Sequence, residues 1–142
     1  MVKISASEMQ KYGVEPGRYD LFEQLLDRSG VGLLPRLTPM LSWDVTFWGH
    51  SMWAGKEMVE LADAIEDILF GGSPPIDITS QPKGSRNAAK WLNRLCDVHT
   101  MWCHLYYAND IFVTSDLNFH KEKKLPRLLA LGAGKICKPE DL

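Results

Sequence analysis

IFVTSDLNFH, residues 111 to 120, is the stretch on which the fold of this chain depends. Ile111, Phe112, Val113 and Thr114 form an apolar, β-branched run suited to a buried strand. It ends abruptly in Asp116, Asn118 and His120. Upstream, Trp91, Leu95, Val98, Trp102 and Leu105 keep a 4-3-4-3 spacing, which predicts one buried stripe on a long helix over 87–108. Downstream, residues 126–131 read as a short helix with proline in its first turn and Gly132 past its end, and residues 135–137 read as a short strand. Helix, strand, helix, strand is the alternation of a parallel sheet flanked by helices. Ligands of such sheets bind beyond the carboxyl ends of the strands, where Asp116 stands.

Nearer the N-terminus, Ser5-Ala6-Ser7-Glu8 has capping-box spacing, so a helix is expected from about residue 6 to a stop before Gly13. Residues 19–28 carry Leu21, Phe22, Leu25 and Leu26 at helical spacing, with Gly30 placed to end the helix. Residues 31–55 fit neither period and are assigned to loop or short turns. Their aromatic cluster, Trp43, Phe47, Trp48 and Trp53, is expected to fill the core or a dimer contact rather than stack on bases. Residues 56–70 form an amphipathic helix with Met58, Leu61, Ala62, Ile65 and Leu69 on one side. The Pro- and Gly-rich segment 73–85 is a surface connection, because neither side alone is large enough to bury a core.

A chain of 142 residues has the size of one globular domain, 1–142. Cys96, Cys103 and Cys137 are an odd set, which points to reduced thiols and a cytoplasmic setting. The first residues lack the apolar region of a signal peptide, and no run reaches the ~20 apolar residues of a membrane span. The formal net charge of -2 argues against a generally polycationic nucleic-acid binder. Charge is nevertheless uneven: between Asp44 and Asp77 the acids outnumber the single base Lys56, whereas Lys121, Lys123, Lys124, Arg127, Lys135 and Lys138 face one acid, Glu122.

On the long helix, successive 100° steps put Asn93, Asp97 and His104 on one polar edge. A helix rising ~1.5 Å per residue and an antiparallel strand rising ~3.3 Å per residue bring Asp97 and Asp116 to the same edge of the sheet.

The run from Asp97 through IFVTSDLNF resembles the C-terminal signature of PIN-domain nucleases, in which an acid opens a helix and an apolar strand ends in Thr-x-Asp-x-Asn-Phe. The closing PRLLALGAGKICKPEDL resembles that family's last helix, strand and Pro-Glu ending, so the likeness covers about Trp91 to Leu142. The resemblance implies a three-layer PIN-like α/β domain with a short parallel sheet flanked by helices. It further implies a hydrolase that cuts RNA using Mg²⁺ or Mn²⁺ held by acids, which suits hard cations and oxygen ligands. Asp97 and Asp116 match the third and fourth acids, Thr114 and Asn118 the polar residues beside the fourth, Phe119 an apolar plug and Glu8 the second acid. Lys121, Lys123, Lys124 and Arg127 would hold flanking phosphates. The first strand and its aspartate are not found: either they lie upstream of Met1 or the chain does without them. The family includes toxins held by antitoxin proteins, so the resemblance implies RNA and a protein inhibitor as partners; the tryptophans allow a second copy, and the absence of a long apolar run argues against a membrane. A degenerate, non-catalytic module that binds RNA or protein is the alternative.

Each residue also has a structural reading. Asp116 suits a turn cap, Asp97 an exposed helical acid near Arg94, and Glu8 a capping box. Cys96, His99 and Cys103 share a helical side, but one straight helix cannot wrap a tetrahedral metal, so packed thiols are expected. GAGK at 132–135 is no phosphate loop, because residue 129 is leucine and residue 136 isoleucine.

Overall fold

The structure is a computed structural model that describes residues 1–9, 18–43, 45–71, 73, 76–82 and 84–142, without the side chains of Glu8 and Ile78. Its elements in chain order are α1 (Ser5–Glu8), α2 (Tyr19–Arg28), α3 (Lys56–Phe70), α4 (Arg86–Tyr106), β1 (Ile111–Val113), α5 (Leu125–Ala130) and β2 (Lys135–Cys137). Short 3-10 turns lie at Ile78–Ser80 and Pro139–Asp141. The protein is therefore mixed α and β, with a two-stranded parallel sheet among the described residues.

Helix α1 starts one residue before its expected place. Ile4, which has no side-chain oxygen to accept a backbone N–H, occupies its N-cap, so Ser5 lies inside the helix. The expected stop before Gly13 falls outside the described residues. Helices α2 and α3 occupy the positions that their apolar spacing predicts. Gly30, at φ +71°, takes the left-handed conformation just past α2 that a residue without Cβ adopts at little cost. Ser85 caps α4 by accepting the Ala88 N–H at 3.2 Å. At its other end α4 stops at Tyr106, short of the expected Ala108, which sits at φ +48° and turns the chain into β1.

The main core is the contact of α3 with α4. Ala62, Ile65, Ile68 and Leu69 meet Val98, Met101, Trp102 and Cys103, and Phe112, Phe119 and Leu128 close it from the sheet and α5. Trp102 is fully buried, and its indole N–H donates to the Met58 carbonyl at 3.0 Å, so its one polar atom is satisfied. A satellite cluster of Ala6, Tyr19, Phe22, Leu26 and Phe47 holds α2, and a third of Ile4, Val45 and Cys96 fastens α1 to α4.

Three tryptophans depart from the core expectation. Trp43, Trp48 and Trp53 are 67%, 69% and 75% exposed, while Phe47 beside them is buried. Trp43 and Trp48 pack edge to face, with ring centroids 5.6 Å apart.

Strands β1 and β2 pair in parallel register, Ile111 with Lys135, Phe112 with Ile136 and Val113 with Cys137. Gly134 makes this approach possible: a Cβ there would stand 2.2 Å from the Asp110 carbonyl oxygen. No helix among the described residues is long and apolar enough to cross a membrane.

Candidate functional site at the end of the first strand

Helix α4 turns His104 to the sheet. His104, read from sequence as part of a polar edge, is buried and hydrogen-bonded: its ring lies 5.3 Å from that of Phe112, and its Nε2 accepts the Gly134 N–H at 2.9 Å. Burial holds His104 below the usual histidine range. Asp97 lies seven residues earlier, which at 100° per residue is nearly the same side and about 10 Å back along the axis. Asp116 lies four residues past Phe112, at most about 13 Å further along an extended chain. Asp97 is half-buried and Asp116 exposed.

The sequence after β1 folds into a turn built on its own side chains. The Thr114 hydroxyl accepts the Asp116 N–H at 3.1 Å, and Asp116 Oδ1 accepts the Asn118 N–H at 2.7 Å. This is the local bonding for which aspartate is favoured in turns, so the structural reading of Asp116 holds beside any other. Asn118 Oδ1 in turn accepts Lys124 Nζ at 2.6 Å, and Phe119 is buried against Phe112 at a centroid distance of 5.1 Å. Asp116, Thr114, Asn118 and Phe119, picked out together from sequence, therefore form one unit.

Lys124 is occupied by the protein itself. Its ammonium also donates to the Leu69 carbonyl in the last turn of α3 and lies 5.7 Å from the centre of the Phe70 ring. Desolvation lowers its pKa first, the Lys121 charge lowers it further, and the Asp116 charge opposes both. Arg127 pairs with Asp67 of α3 at 2.7 Å, although both side chains are more than half exposed. Lys121 and Lys123 stand exposed on the same loop.

Glu8 ends α1, the helix that packs against the stretch of α4 around Cys96, next to Asp97. Its carboxylate lies outside the described atoms. Among the described residues no group of three His, Cys, Asp or Glu side chains converges as a metal cluster would. The nearby donors, Asp97, Asp116, Thr114 and Asn118, are all oxygen, which suits Mg²⁺ or Mn²⁺; Mg²⁺ is commonly held by one or two carboxylates with water and phosphate completing its shell.

One neighbour was given no role in the sequence. A ring nitrogen of His120 donates to the Thr114 carbonyl at 2.9 Å, which puts an imidazole on the loop that carries Asp116. Its signal was only its place in the stretch. Elsewhere, Cys96 and Cys103 are fully buried, as packed thiols should be; His99 beside them is buried too, and its Nε2 lies 2.8 Å from Ser42 Oγ. Comparisons with protein-family models, with curated proteins and with solved structures return no match.

Proposed function

We propose that the chain is a three-layer, PIN-like α/β module in which Asp97 and Asp116, joined by Glu8, hold Mg²⁺ or Mn²⁺ and hydrolyse an RNA phosphodiester. The observation that supports this reading is His104 against Phe112, because Asp97 lies two helical turns before His104 on nearly the same side of α4. A bound divalent ion supplies an activated water and a counter-charge for the phosphoryl oxygens. Thr114 and Asn118 fix the turn that orients Asp116. Lys121 and Lys123 reach outward to phosphates flanking the scissile bond. Lys124 anchors the loop instead. The buried free cysteines suit a reducing, cytoplasmic setting.

The non-catalytic module, binding RNA or an antitoxin-like protein, is the second reading. It is favoured by the turn bond that already engages one Asp116 oxygen.

Calorimetric titration with Mn²⁺ separates the two. Wild-type protein is expected to bind with millimolar or tighter affinity, and Asp116→Asn to weaken binding by about tenfold, or about 1.4 kcal/mol. Equal binding by the variant and wild type would sink the metal site. Normal Mn²⁺ binding without cleavage of any RNA supports the second reading.

A further inference from the structure

A second constellation lies outside the sheet, in a narrow crevice where the start of α1 meets residues 39–50. Lys3, Ser7, Thr46 and His50 line its polar side. The two hydroxyls are spent within the protein: Ser7 Oγ donates to the Val45 carbonyl at 2.7 Å and Thr46 Oγ1 to the Ser42 carbonyl at 3.0 Å. The two basic groups are not. Lys3 and His50 are half-buried, and neither the Lys3 ammonium nor the His50 imidazole has a hydrogen-bond or ion-pair partner among the described residues. Tyr19 of α2 lies face to face with the His50 ring, centroids 3.6 Å apart, and its buried hydroxyl also lacks a partner. Arg36 stands nearby, its guanidinium donating to Glu23 at 2.6 Å and to the Gly32 carbonyl at 2.9 Å. Burial holds His50 below the usual histidine range, the Lys3 charge adds to this, Glu23 opposes it and Arg36 adds again. Two cations thus face one acid around the imidazole. A half-buried lysine beside an imidazole, with no acid of its own, is unfavourable alone and favourable around an anion.

We propose that this crevice binds the dianionic phosphoryl group of a phosphate or phosphate monoester, held between the Lys3 ammonium and the His50 imidazolium. Charge selects the class. Lys3, Arg36 and a protonated His50 leave two positive charges in excess over Glu23, which matches the charge of about −1.5 to −2 on a phosphoryl group at neutral pH, whereas a carboxylate answers only one. Lys3 and a ring N–H of His50 each donate to a phosphoryl oxygen in a charge-assisted bond. Because the anion favours the protonated ring, binding takes up a proton at His50, and affinity rises as the pH falls through the range in which the imidazole charges. The site uses no metal ion and does not rest on the reading of Asp97 and Asp116.

Titration of the wild-type chain with inorganic phosphate in metal-free buffer, followed by the ring resonances of His50 in NMR, tests this apart from any divalent-ion site. Saturable shifts with a dissociation constant on the order of 1 mM at low salt are expected. Lys3→Met should weaken binding at least about fivefold, and Lys3→Arg should restore it to within about twofold. Lys56→Met, at an exposed lysine of α3, should leave it unchanged. Sulfate stays a dianion throughout, so it should bind about tenfold more tightly near pH 5.5 than near pH 7.5, and His50→Gln should abolish that difference. Uridine 5′-monophosphate separates the sources: affinity equal to that of phosphate assigns the free ion, affinity about tenfold higher assigns a nucleotide, and both uphold the site. Absence of any His50 shift up to about 20 mM phosphate overturns the proposal. So does a folded Lys3→Met that binds as wild type does; if that variant unfolds, Lys3→Gln decides in its place.

Discussion

His99 sits in the middle of α4 with almost no exposed surface, bonded through one nitrogen to Ser42 while Nδ1 has no described partner. Burial holds its pKa down to about 4 from 6.5. Between these values the folded chain binds fewer protons at this site than the unfolded chain does. Its contribution to stability is thus complete above pH 6.5 and is lost as the pH falls toward 4, by up to about 3 kcal/mol. Denaturant unfolding at a series of pH values should show this slope, and His99→Leu should flatten it in that window. Neither the burial nor the partner was legible in sequence, because Ser42 lies 57 positions away. Helical spacing alone did show that His99 shares a side with two cysteines that pack.

The C-terminus of α3 and the loop after β1 are tied together by Lys124, which gives a helix end a cation and a donor where its carbonyls need them. Lys124→Met keeps the aliphatic stem but leaves the Leu69 carbonyl and Asn118 without that donor. It should cost about 1.5–3 kcal/mol in chemical denaturation, while Lys121→Met on the same loop should stay within about 0.5 kcal/mol. The same variant loosens the turn that holds Asp116, so Mn²⁺ affinity should fall with it. At this scale sequence was most informative. The bounds of α2, α3 and β2 follow from apolar period and flanking glycines, because local chemistry sets them. The service of Lys124 to α3 was hidden, because it depends on packing that links residues 55 positions apart. Read from sequence, it is one more base in a basic run.

Across the whole molecule the core is unequal. The α3–α4 contact, with Trp102, Met101, Ile65 and Leu128 fully buried, carries most of the large apolar side chains. Helix α2 is held by the smaller cluster around Tyr19, Phe22 and Phe47, outside that core. Native-state amide exchange should therefore find α2 opening at lower free energy than α4, in a step that leaves the main core closed. Equal protection of the two helices would show a single cooperative unit instead. The sequence showed that a core existed and which helices had apolar faces. Of its two places for Trp43, Trp48 and Trp53, the core is not the one they take, since composition favours burying tryptophan while the path of segment 31–55 leaves these three outside.

The three thiols lie at the opposite extreme of accessibility. Cys96, Cys103 and Cys137 are all buried, and burial pushes the Cys103 thiol up to about 12, far from the thiolate that oxidants and electrophiles attack. A folded molecule thus keeps its thiols out of redox chemistry, and an opened one offers all three. Oxidative damage would then fall on molecules that have already lost their structure and lock them out, so the surviving population stays chemically uniform.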